Sequence, residues 1–176
     1  MTQANPPASA RGPRIAVYPG SFDPITRGHV EIVERAARVF DAVIVAVGRH
    51  PTKPGYFPVD ERLALITASV AHVATARVAH FTGLVVDFCR REGAAAIVRG
   101  LRATSDFESE FQMGLANRDL APDVETVFLI PRPEQMYVSS SLIREIAAHG
   151  GDFARYVPEP VAAAMRARNA QRQGST

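Results

Sequence analysis

Strand-forming and helix-forming segments alternate along this chain, and that alternation limits the fold more than any other feature. The clearest segment is residues 42–47, Ala-Val-Ile-Val-Ala-Val, which contains no polar position. A strand with one wet face alternates apolar and polar side chains, so a run apolar throughout predicts a strand covered on both faces. Other β-prone runs fall at 14–18, 77–81, 95–98 and 126–130, and Pro19-Gly20 is expected to stop the first. Between the strands, apolar residues recur at helical spacing. The sets are Val30, Val33, Ala37 and Phe40; then Leu63, Ile66, Val70 and Val73; then Leu84, Val85, Phe88 and Cys89; then Phe107, Phe111 and Leu115. Leu142, Ile143, Ile146 and Ala147 form a further helical face stopped by Gly150-Gly151, and a last helix is expected from near Pro160 past Met165.

Five strands alternating with helices predict an α/β protein, a Rossmann-like five-stranded parallel sheet with helices on both faces. Its 176 residues suit one domain, read as residues 14–168, with a flexible lead-in at 1–13 and a flexible tail at 169–176. Arg166, Arg168 and Arg172 near that tail read as a solvated basic face. The single cysteine, Cys89, has no intrachain partner, and no run has the length of a membrane span or the order of a signal peptide. A cytoplasmic protein without membrane attachment is therefore expected. The net charge of +2 is small, and Lys and Arg are not clustered with aromatics, so no nucleic-acid partner is expected.

In parallel α/β sheets, ligands sit beyond the carboxyl ends of the strands. Three segments at such places carry chemistry. The first, residues 18–29, reads Tyr-Pro-Gly-Ser-Phe-Asp-Pro-Ile-Thr-Arg-Gly-His. Gly20 permits close backbone approach, Ser21 offers a hydroxyl and an N–H, and Thr26 is placed to cap a helix with His29 in its first turn. A helix N-terminus suits phosphate because its N–H groups are unpaired and its end of the dipole is positive. By position alone, His29 fits a helix-entrance residue as well as a ligand donor. The second segment, Val138-Ser139-Ser140-Ser141-Leu142-Ile143-Arg144, places consecutive hydroxyls at another helix entrance, where an ordinary serine cap is the simpler reading. The third, Arg99-Gly100-Leu101-Arg102, follows the fourth strand and offers two arginines as a fork for phosphate, although a pair of surface arginines is the simpler reading, with Asp106, Phe107, Glu108, Glu110 and Asn117 downstream. His50, His72, His80 and His149 lack metal-ligand spacing, and no protein cage for a metal is expected.

Gly-Ser-Phe-Asp-Pro followed by Thr-x-Gly-His resembles the nucleotide-binding signature of the nucleotidyltransferase superfamily, and Val-Ser-Ser-Ser-x-x-Arg resembles its second motif. Arg-Gly-Leu-Arg followed by Asp-Phe-Glu-x-Glu resembles one branch in particular, phosphopantetheine adenylyltransferase, and the resemblance covers nearly all of residues 14–168. It implies ATP and 4′-phosphopantetheine as substrates, Mg²⁺ as cofactor and a homo-hexamer; coenzyme A, which retains both the adenylate and pantetheine parts, is a candidate feedback ligand. By the same resemblance, His29, Lys53 and Arg102 are catalytic, and Ser21, Lys53, Val85 and Arg99 bind the acceptor. ATP is assigned to Ser21, Phe22, His29, Gly100, Leu101, Arg102, Glu110, Gln135, Met136, Tyr137, Val138, Ser139, Ser140 and Ser141. Simple core packing is a competing reading of Val85. Gln135-Met136 departs from the aromatic or small polar residue expected near the adenine, and Gly48-Arg49-His50 adds positive charge near the substrate loop. Two alternatives remain open here: another superfamily branch, such as a nicotinate-mononucleotide adenylyltransferase or a cytidylyltransferase, and a nucleotide-binding module without catalysis.

Overall fold

The structure is a computed structural model and describes residues 12–48, 55–102 and 104–173. Five strands, β1 (Ile15–Gly20), β2 (Ala42–Gly48), β3 (Ala76–Phe81), β4 (Ala94–Gly100) and β5 (Glu125–Leu129), form one sheet in the order β3-β2-β1-β4-β5. Every pairing is parallel. Six helices connect and cover them: α1 (Arg27–Ala36), α2 (Val59–Val70), α3 (Val85–Arg91), α4 (Thr104–Leu120), α5 (Ser140–Ala148) and α6 (Glu159–Gln173). The expected doubly covered parallel sheet is observed.

The period-2 geometry of the strands sorts their side chains into two cores. Ala16, Tyr18, Val43, Val45, Val47, Ala96 and Val98 pack with residues of α1, α2, α5 and α6. Val17, Ile44, Ala46 and Ile97 pack on the other side with Val86, Phe88 and Cys89 of α3. The central run of β2, residues 43–47, is fully buried, as its unbroken apolar sequence predicts. Cys89 lies in this second core, and burial pushes its thiol up to about 12, so it stays protonated and inert at neutral pH.

The strand order reverses between β1 and β4. Their ladder runs only to Val17↔Ile97, while β1 continues along β2 through Pro19↔Ala46 and Gly20↔Val47. A crevice therefore opens at the carboxyl ends of β1 and β4, the switch point where ligands bind in such folds. Pro19 and Gly20 belong to β1, two residues past the expected end. The carbonyl of Pro19 accepts from Arg99 Nη1 at 2.9 Å, so this stretch of backbone turns towards the opened β4 side, where a missing N–H breaks no ladder bond.

The helices fall where expected, but two expectations about the end of the chain, its limit at 168 and a solvated Arg168, need correction. Phe107, Phe111 and Leu115 do fall on one helix, but they face outwards and each is about half exposed. That helix turns Gly114 and Asn117 inwards instead, with Gly114 lying against Phe128 and Thr126 of β5. The domain does not end at 168, because α6 continues to Gln173, and Asn169 donates to the Ala147 carbonyl at 3.2 Å and accepts from the Tyr56 hydroxyl at 3.2 Å. Arg168 is not part of a solvated face. Its guanidinium lies 4.7 Å from the Phe57 ring centre, pairs with Glu61 at 2.8 Å and donates to the Tyr56 carbonyl. Of the lead-in, only Gly12 and Pro13 are among the described residues, and both are exposed.

Candidate active site

A cavity of about 270 Å³ occupies the switch point. It is lined by the end of β1 (Tyr18, Pro19, Gly20), the following turn (Ser21, Phe22), the entrance of α1 (Thr26, Gly28, His29), the end of β4 (Arg99, Gly100, then Arg102) and the entrance of α5 (Ser139, Ser140, Ser141). Glu110, Gln135 and Val138 complete the predicted residues found there. The three motifs, separated by up to about 120 positions in sequence, thus meet in one place.

The α1 entrance is built by a capping box. Thr26 Oγ1 accepts from the His29 N–H at 3.3 Å, and His29 Nδ1 accepts from the Thr26 N–H at 3.0 Å. The box normally uses Glu or Gln at this third position. Because Nδ1 is an acceptor here, the proton of the neutral ring resides on Nε2. Burial, with the positive charges of Arg102 and then Arg99, lowers His29 to about 4, so the ring is neutral at pH 7. The helix-entrance and ligand-donor readings of His29 are compatible: one nitrogen serves the helix and the other remains an N–H donor.

The preceding turn is tightly held. Phe22 has φ 44°, unusual for a bulky residue, and its buried ring contacts Tyr18 and His29 edge to face, at 5.2 Å in each case. A Cβ on Gly20 would lie 2.9 Å from the Phe22 ring. Gly20 is therefore required by this ring, not first by ligand approach as expected. Below the turn, the Asp23 carboxylate accepts from the Tyr56 and Phe57 N–H groups at 2.6 and 2.8 Å. Buried Arg62 donates to the Phe57 carbonyl at 2.9 Å and the Ser21 carbonyl at 3.0 Å. Arg144 donates to the Asp23 carbonyl, and Ser140 Oγ to the Pro24 carbonyl at 2.8 Å. Sequence reasoning missed Arg62 and Asp23 as a support for this turn. The available signal was the position of Arg62 on the same helical face as Ile66, Ser69 and Val70, all buried.

The arginines are also held. Arg99 Nε meets Glu110 Oε2 at 2.7 Å and its Nη2 meets Oε1, a bidentate fork. Arg102 Nη1 donates to the Val138 carbonyl at 2.9 Å, linking the β4 turn to the approach to α5. At α5, Ser139 is the N-cap, with its Oγ accepting from the Leu142 N–H at 3.1 Å. Ser141 Oγ accepts from Arg144 Nη2 at 3.2 Å. The hydroxyls expected to face phosphate thus have protein partners, and the donors this entrance presents are main-chain N–H groups of its first turn. Gln135 Oε1 is buried without a hydrogen-bond partner among the described residues.

Several predicted residues lie elsewhere. Leu101 donates its N–H to the Leu129 carbonyl at 3.0 Å, and Met136 and Tyr137 are exposed outside the cavity, Tyr137 against Tyr156. Val85 is partly buried against the core that includes α3 and is not among the residues that line the cavity. Lys53, Arg49 and His50 lie outside the described residues. Among the described residues no cluster of three or more His, Cys, Asp or Glu could hold a metal, and no helix is long and apolar enough to cross a membrane.

A switch-point cavity framed by two helix entrances and two arginines defines a nucleotide-binding α/β protein of the nucleotidyltransferase class. Consistently, the cytidylyltransferase-like family profile matches residues 17–146. Two curated relatives are phosphopantetheine adenylyltransferases. That of Heliobacterium modesticaldum is 53% identical over 92% of this chain and 94% of its own. That of Thioalkalivibrio sulfidiphilus is 54% identical over 88% of this chain and 97% of its own. The chain belongs to the phosphopantetheine adenylyltransferase family. Among solved structures, a candidate nicotinate-nucleotide adenylyltransferase of Vibrio parahaemolyticus aligns over 86% of this chain and 97% of its own, with TM-score 0.64 at 17% identity. A lipopolysaccharide core biosynthesis protein of Thermoplasma volcanium aligns over 67% of this chain and 97% of its own, with TM-score 0.51 at 21% identity. These two likenesses concern the fold alone.

Proposed function

We propose that this chain transfers the adenylyl group of ATP to 4′-phosphopantetheine, giving dephospho-coenzyme A and pyrophosphate. The observation that carries this reading is the convergence of His29, Arg99, Arg102 and the α1 and α5 entrances on one cavity, in a chain of this family. An oxygen of the acceptor phosphate attacks the α-phosphorus of ATP, the bond from that phosphorus to the bridging oxygen of the β-phosphate breaks, and pyrophosphate leaves with the electron pair. A phosphate is nucleophilic at neutral pH, so the protein's contribution is positioning and stabilisation of spreading negative charge.

In this scheme the His29 Nε2–H and Arg102 stabilise charge, together with Lys53, whose role rests on the family resemblance. Ser21 and Arg99 serve the acceptor, with Glu110 fixing the plane of Arg99. The main-chain N–H groups at the α5 entrance serve the nucleotide phosphates. Both Glu110 oxygens are taken by Arg99, so the described residues fit a Mg²⁺ ion that arrives on the nucleotide phosphates, not one caged by the protein. When bound, Mg²⁺ supplies charge neutralisation to the departing pyrophosphate. Mass-spectrometric detection of dephospho-coenzyme A from the two substrates tests the reading, and ATP bound without any product refutes it.

The proposal extends to a cytoplasmic homo-hexamer inhibited by coenzyme A, which carries both the adenylate and pantetheine parts. The outward face of α4, where Phe107 and Phe111 stack 5.7 Å apart beside half-exposed Leu115, supports self-association. Phe111→Glu is expected to shift sedimentation to smaller species, and a wild-type monomer at micromolar concentration contradicts the assembly. Failure of coenzyme A to displace either substrate contradicts the feedback role.

A further inference from the structure

We infer that Tyr18 is a further ligand-contacting residue of this site, its hydroxyl donating a hydrogen bond to a phosphate oxygen of a bound substrate. The inference rests on the function proposed above. Tyr18 lies on β1 at the crevice, the residue is 5% exposed, and it lines the cavity. Its ring needs no hydroxyl for packing. It meets Phe22 edge to face at 5.2 Å and belongs to a core that includes Ile32, contacts that a phenylalanine would make equally well.

The hydroxyl is placed by a different neighbour. It lies 3.7 Å from where a Cβ of Gly100 would stand, so it reaches the turn that joins Arg99 to Arg102. His29 is on its other side, with ring centres 6.4 Å apart. Among the described residues, no hydrogen bond involves this hydroxyl. The nearby acceptor, the Glu110 carboxylate, is engaged on both oxygens by Arg99. The hydroxyl is thus unpaired by the described residues at the lining of the cavity, and its presence where Phe would pack points to a partner that arrives from the cavity.

The surroundings select the partner's chemistry. Burial raises the ionisation of Tyr18 far above its ordinary value, despite the opposing charges of Arg99 and Arg102, so the hydroxyl keeps its proton. A neutral donor beside two guanidinium groups and the Nε2–H of His29 matches an anionic oxygen. Both ATP and the acceptor carry such oxygens, and the test separates them.

The experiment is Tyr18→Phe, which keeps the ring contacts. Pyrophosphate release is measured with ATP and 4′-phosphopantetheine varied in turn, and equilibrium binding of each is measured by calorimetry. The expected result is a fall of about tenfold or more in kcat/KM or affinity for one substrate, with an unchanged melting temperature. The substrate affected is the one whose phosphate Tyr18 contacts. Values within about twofold of wild type for both substrates overturn the inference. If the wild type releases no pyrophosphate, the proposed reaction fails, while the binding measurements still decide the role of Tyr18.

Discussion

His29 performs two separable tasks, and removing its ring should affect them by different amounts. In His29→Ala, the Thr26 N–H loses the Nδ1 acceptor that lies 3.0 Å away, so half of the α1 capping box is lost. Such a loss costs about 1 kcal/mol. In a chain of this length that lowers the melting temperature by roughly 2–4 °C. Native domains hold about 5–15 kcal/mol of stability, so almost all molecules remain folded. The same substitution removes the Nε2–H donor, and loss of one donor to developing charge lowers turnover by about 10²–10³. Partial unfolding cannot imitate so large a fall. His29→Gln separates the tasks, because Gln at this position restores the capping box but draws its amide back onto Thr26. Its melting temperature should return close to wild type while turnover stays near that of the Ala variant. Calorimetric melting and steady-state pyrophosphate release are the assays. Turnover within about threefold of wild type in folded His29→Ala, or full recovery in His29→Gln, refutes the reasoning.

Other consequences follow from the same contacts. Arg62→Met leaves the buried Asp23 carboxylate without its cation and the Ser21 carbonyl without its donor, and should cost on the order of 3 kcal/mol in urea unfolding; a loss below about 1 kcal/mol contradicts the role given to Arg62. Ser139→Ala removes the α5 cap and should cost about 1 kcal/mol while changing turnover less than threefold, because this hydroxyl serves the Leu142 N–H. A turnover loss above tenfold would return Ser139 to direct phosphate binding. His29, lowered from 6.5 to about 4, stays neutral in the folded chain while the unfolded chain takes up a proton. Its contribution to stability is complete above pH 6.5 and is lost as pH falls towards 4, so acid should destabilise wild type more steeply than His29→Ala. A His29 NMR titration midpoint near 6.5 would contradict this.

Much of the architecture was legible because burial leaves a mark on sequence. Residues 42–47 could only be a doubly covered strand, and the motif positions followed from strand ends. Less was legible where a residue's partner is distant in sequence. Pro19 reads as a strand stop, and only the reach of Arg99 to its carbonyl explains its place within β1. Phe107, Phe111 and Leu115 have core spacing, yet α4 turns Gly114 inwards and leaves them exposed, a choice that helical periodicity alone does not make. Arg168 reads as a surface charge until Tyr56, Phe57 and Glu61 are brought beside it. In the site, residue types were legible but commitments were not. Ser139 and Ser140 carry the expected hydroxyls, but an α5 N–H and the Pro24 carbonyl occupy them. Lys53 lies outside the described residues, so its assignment still rests on resemblance.

The central claim is most directly tested by pyrophosphate release with ATP and Mg²⁺, comparing 4′-phosphopantetheine with nicotinate mononucleotide as acceptor. The account predicts release with 4′-phosphopantetheine and none with nicotinate mononucleotide. Release only with nicotinate mononucleotide, or ATP binding without release from either, would contradict it.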